Sequence, residues 1–92
     1  MNVHLRSVTP AAQIAVTEMR QKAIARYIDA NRAPRETIIR AHEDTFVGRL
    51  TCTISPGPTM NNGTKSFRCD WTLDNRPIST HGACLAMMGL MP

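Results

Sequence analysis

Ninety-two residues fit one domain, and a chain that buries only about two thirds of its unfolded surface cannot pack an interior and also enclose a deep cofactor cavity. A hydrophobic content of 42% with 20% charged residues of mixed sign excludes a disordered chain, and no run approaches the roughly 18 apolar residues of a membrane span. Eleven basic against seven acidic residues give a net charge of +4, so a soluble domain, residues 1–92, that works on its outside is expected.

Thr9-Pro10 opens the first element, because Thr caps free N–H groups and Pro fits a first helical turn that needs no donor. From Pro10 to Ala30 the spacing of Ala12, Val16, Met19, Ala23, Tyr27 and Ala30 predicts a long helix, flanked by Ile14, Ile24 and Ile28, with Glu18, Lys22, Arg26 and Asp29 outside. Asn31, tolerant of left-handed backbone, and Pro34 end it. Asn31 to Arg35 then forms an exposed basic corner. Glu36 to Asp44 reads two ways: Pro34 and Glu36 favour a short helix, which we adopt, while Thr37-Ile38-Ile39 suits a strand.

Alternation from Phe46 to Ser55 predicts a strand with Phe46, Gly48, Leu50, Cys52 and Ile54 facing in. Pro56 to Lys65 gathers turn formers without periodicity and is expected as a long exposed loop suited to contacts. In the next strand Phe67, Cys69, Trp71 and Leu73 face in. A two-residue turn at Asp74-Asn75 would set Leu73 against Arg76, Thr72 against Pro77 and Trp71 against Ile78. Ser79 or Thr80 caps a final helix, His81 to Met88, closed by Gly89. The apolar Ala83 to Met88 run suits a helix buried on the sheet, or else an adaptable partner surface. The expected fold is α+β, a small antiparallel sheet of three to four strands packed against a long N-terminal and a short C-terminal helix.

Three cysteines, an odd number, with no apolar leader in Met1 to Thr9, imply a reducing compartment. Cys52, Cys69, His81 and Cys84 lack the paired knuckle spacing of a structural zinc site, and inward-facing Cys behaves as a small apolar residue, so core packing is expected ahead of zinc or a disulfide, with no cofactor. A Cys84 and His42 pair is the one catalytic alternative left open; His42-Glu43-Asp44 reads as an element end rather than an active site. The chain is expected not to be an enzyme.

Nine of the eleven cations are Arg, whose planar fork of donors grips phosphates and carboxylates at two points. Arg20, Lys22 and Arg26 on the helix, with Arg32 and Arg35 at its corner, could share one side as a phosphate-gripping patch; Lys65 and Arg68 could form a second. Tyr27 and Trp71 face inward, which leaves no stacking row for bases, so contact with a nucleic-acid backbone is expected. A small phage DNA-binding regulator is the alternative, weakened by the acidic end of the short second helix. A membrane-surface helix ranks third, because Glu18 and Asp29 interrupt its polar face.

The whole chain resembles phage anti-CRISPR proteins, most closely the eighth family named against type I-F systems. The resemblance rests on the opening Met1-Asn2-Val3-His4-Leu5-Arg6-Ser7-Val8-Thr9-Pro10-Ala11-Ala12-Gln13 and on the Cys69-Asp70-Trp71-Thr72-Leu73-Asp74-Asn75-Arg76-Pro77-Ile78 hairpin. It implies a non-enzymatic inhibitor in the host bacterial cytoplasm. Its partner would be the type I-F CRISPR surveillance (Csy) complex, touched at backbone Cas subunits, tail subunits and guide RNA so that target DNA cannot pair. A basic surface suits an RNA-holding partner and not mimicry of DNA.

Overall fold

The computed structural model describes residues 7–32 and 37–92. Helix α1, Pro10–Ala30, starts as expected: the Ala12 N–H donates to Thr9 Oγ1 at 3.2 Å, and Pro10 takes the first turn. Its end differs in mechanism. Asn31 is not left-handed, with φ at −106°; instead its side chain works in both directions. Nδ2 donates to the Tyr27 carbonyl at 2.8 Å and to the Thr37 carbonyl at 3.1 Å, and Oδ1 accepts the Thr37 N–H at 2.6 Å. One amide thus pins the returning chain to the end of α1. Ala33 to Glu36, including Pro34 and Arg35, lie outside the described residues, as does the opening hexapeptide.

The expected second helix is instead strand β1, Ile39–Thr45. It pairs antiparallel with β2, Gly48–Thr59, from Ile39↔Ile54 to Thr45↔Gly48. Ladder bonding to β2 outweighs the local helix signals of Glu36 to Asp44, since strand preference depends on the neighbour more than on the residue. The turn between them takes up Phe46, expected inside the sheet; it is 99% exposed. Strand β3, Lys65–Leu73, returns beside β2, and β4, Arg76–Ile78, completes a meander in the order β1-β2-β3-β4.

The expected long loop is mostly strand as well. Pro56 lies beyond Ile54, the last β2 residue that β1 reaches, so the donor Pro lacks is not missed by a neighbour on that side. The register slips by one between Pro56↔Phe67 and Thr59↔Lys65, leaving a short turn over 60–64. That turn is closed by Met60 N–H to the Thr64 carbonyl at 2.8 Å and by Thr64 N–H to Asn62 Oδ1 at 3.0 Å.

The second hairpin follows the expected register, Leu73↔Arg76, Thr72↔Pro77 and Trp71↔Ile78, and both Asp74 and Asn75 take positive φ, 48° and 67°. Helix α2, Thr80–Met87, is capped by Ser79, whose Oγ accepts the Gly82 N–H at 3.0 Å, and is closed by Gly89 at φ 77°. Both helices lie on one face of the sheet. The core joins Val16 and Ala23 of α1, Ala83 and Ala86 of α2, and Leu50, Cys52, Ile54, Trp71 and Leu73 of the strands. Phe67 reaches the margin only, 40% exposed, with its ring 5.7 Å from that of Tyr27.

Asp74 ties the two turns at one end of the sheet. Its carboxylate accepts the Arg49 N–H at 2.9 Å, and its own N–H donates to the Arg49 carbonyl at 3.0 Å. Gly48 makes this bracket possible: φ is +140°, and a Cβ there would run into the Asp74 carboxylate. Gly48→Ala should therefore cost about 2 kcal/mol, read as a lower urea midpoint with an unchanged m-value. An unshifted midpoint would show that neither the backbone angle nor the close approach matters to stability.

Candidate binding surface

The fold divides the predicted cations rather than gathering them. Lys22 and Arg26 do come together, in a groove of about 540 Å³ between α1 and β1. Arg40, which is not among the predicted cations, and His42, expected only at an element end, join them there, with Glu18 and Glu43 as the acidic counterweight. Arg20 does not belong to this group. It is half-buried in a separate groove between the helices, beside Gln13, Thr17, His81 and Cys84. Residues two apart on a helix are about 200° apart around its axis, so Arg20 and Lys22 could not share a side.

The other predicted residues are scattered. Arg32 stands at the end of α1 and pairs with Asp29 at 3.5 Å, both side chains 78% exposed, which makes it a weak contact. Arg35 lies outside the described residues. Lys65 opens β3 opposite Thr59, and Arg68 stands opposite Ser55. Arg68 belongs to the helix-free face of the sheet, because its neighbours Phe67 and Cys69 turn the other way.

That helix-free face is polar along each strand. Arg40, Thr53 and Asp70 form one row, and His42, Thr51 and Thr72 the next. Thr51 is only 7% exposed there, its hydroxyl 2.8 Å from His42 Nδ1. Asp44 accepts from Arg49 Nε at 3.1 Å across the end of the strand pair. No aromatic side chain stands in these rows, so the face offers hydrogen bonds and charge without a platform for stacking bases. Alternation along β1 assigns Arg40 and His42 to this side.

The cysteines sit elsewhere. All three are free. Burial pushes the Cys52 thiol from its ordinary 9.0 up to about 11, with Cys69 adding to the shift and the Arg20 guanidinium opposing it. Cys69 and Cys84 move upward too, burial first. Cys84 is buried on α2, in the groove towards α1, while the His42 ring meets Thr51 on the helix-free face, so the two do not form a catalytic pair. Among the described residues no three His, Cys, Asp or Glu side chains gather as metal ligands. No family model, curated protein or solved structure matches the chain.

A thiol whose pKa is higher folded than unfolded contributes stability that is whole below pH 9.0 and is lost as pH rises through about 11. The urea midpoint of the protein should accordingly fall across that interval, and fall less in Cys52→Ala. Alkylation in mildly alkaline buffer, followed by peptide mass spectrometry, should leave Cys52 unlabelled until urea unfolds the chain; ready labelling of the folded protein would show that Cys52 is not enclosed.

Proposed function

We propose that the protein is a non-enzymatic inhibitor of a type I-F CRISPR surveillance (Csy) complex, binding Cas subunits and guide RNA and thereby blocking target DNA hybridisation. The observation that supports it best is the number of cations the fold leaves uncommitted. Arg20, Lys22, Arg26, Arg40, Lys65, Arg68 and Arg76 have no carboxylate within ion-pair distance among the described residues, whereas Arg32 and Arg49 each have one. Charges that do not serve the fold are free to serve a ligand, and Arg suits phosphate or carboxylate groups. The absence of an aromatic row on the helix-free face favours contact with an RNA backbone or acidic protein over base reading. The type of partner rests on the resemblance of the opening segment and the second hairpin to anti-CRISPR proteins.

A major-groove reader has less support. The segment that would supply its second helix is β1, and α2 is buried from Gly82 to Ala86. Of the predicted contacts among the described residues, Lys22, Arg26, Arg32, Lys65 and Arg68 are exposed and Arg20 is half-buried.

The purified protein should co-elute with the surveillance complex at moderate salt and prevent it from binding target duplex. Free DNA should bind weakly. Three guide-RNA phosphate contacts would give a log–log salt slope of about −2. Changing Lys22 and Arg26 together to Glu should abolish inhibition without lowering the melting temperature, because neither residue is buried. Failure of the unaltered protein to co-elute overturns the proposal, and tight sequence-selective binding of free DNA would establish the regulator instead.

A further inference from the structure

The two edges of the sheet are protected unequally. β4 offers three residues, one of them Pro77, which has no N–H to donate. β1 offers seven residues with no Pro, no Gly and an unbroken register. An edge of that kind is a template for another strand.

The backbone groups on it can be assigned. The Asp74-Asn75 turn closes on Leu73↔Arg76, a pair that exchanges hydrogen bonds. Alternation from there turns the N–H and C=O groups of Leu50, Cys52 and Ile54 towards β1, and those of Ile39, Ala41 and Glu43 back towards β2. The N–H and C=O groups of Arg40, His42 and Asp44 therefore point out of the sheet. No turn, loop or side chain among the described residues bonds to them.

We infer that this edge pairs with the same edge of a second copy of the chain, β1 against β1, antiparallel about a two-fold axis at His42. The charge pattern selects this occupant. Arg40 and Asp44 lie equally far from His42 on the same face and have opposite signs, so each falls opposite its complement in the second copy, where Asp44, whose Oδ1 accepts from Arg49 of its own chain, has Oδ2 left for Arg40. All six outward backbone groups of each β1 find partners in this register.

The groove beneath α1 repeats the pattern. Asn31 holds Thr37, so the C-terminal end of α1 meets the start of β1. Arg26 and Arg40 consequently share one end of the groove, and Glu18 and Glu43 the other. The two-fold rotation lays the acidic end of each groove towards the basic end of the other, with Glu43 opposite Ala41 and near Lys22. It also brings Ile38, 46% exposed, level with the fully exposed Phe46 of the second copy. The pairing does not depend on the target proposed above.

Sedimentation equilibrium of the purified protein alone, over a range of concentrations, tests it. The mass should rise from one chain to two. Arg40→Asp and Asp44→Arg should each weaken the dimer about tenfold or more, since each turns two attractions into repulsions. Mixing the two variants in equal amounts should restore a dimer, because the mixed pair sets acid against base at both positions. Circular dichroism melts identify any variant that fails to fold, in which case the doubly exchanged chain, Arg40→Asp with Asp44→Arg, is read in its place and should dimerise like the unaltered protein. A single-chain mass at every concentration overturns the inference. So does a dimer indifferent to the charge changes, or variants whose mixture stays monomeric.

Discussion

Everything else in this molecule depends on the burial of one face of β2. Leu50, Cys52 and Ile54 are wholly enclosed, and they can be so only because the helices lie close above them. Small side chains permit that approach: Ala23, Ala83 and Ala86 are fully buried and Ala12 nearly so. A larger residue at any of them would force the helices apart, and overpacking of this kind usually costs about 1–3 kcal/mol. With both helices spent on one side, the other side of the sheet and the outer edge of β1 are left to water or to partners.

The distribution of charge follows from that division. An ionised group cannot enter the layer between helices and sheet without a partner, so most of the cations among the described residues stand on the outer face, in the groove beside β1 and on the hairpins. Arg20 marks the limit: half-buried between the helices, it keeps a guanidinium near three thiols. Burial still dominates there, and the thiols stay protonated at neutral pH. The three thiols are therefore poor nucleophiles in the folded protein.

Much of the frame could be read from the sequence because the signals were local. Thr9-Pro10, the alternation around Trp71 and the Asp74-Asn75 turn each specify their own geometry with few neighbours needed. The failures share a different cause. Arg40 to Asp44 becomes a strand because β2 presents an unpaired row of donors and acceptors to it, a requirement set by the partners Arg49 to Thr53 rather than by its own propensity. Pro56 reads as a breaker but sits where β2 has no neighbour on the β1 side, so its missing donor costs nothing. The candidate surface was half legible: Lys22 and Arg26 share a side as expected, Arg20 fails on helical geometry alone, and Arg40 and His42 could be assigned only after β1 was known.

Trp71 carries one last consequence. It is the only tryptophan in the chain, 4% exposed, and its indole nitrogen is buried without an acceptor among the described residues. An unmet donor of this kind usually costs about 1–3 kcal/mol, so the ring is held there by packing against the helices rather than by a polar anchor. Its fluorescence is thus an optical gauge of one thing, the seating of the helices on the sheet. A ligand settling on the helix-free face would pass unseen by it, while anything that lifts α1 or α2 would let water reach the indole and shift its emission to the red.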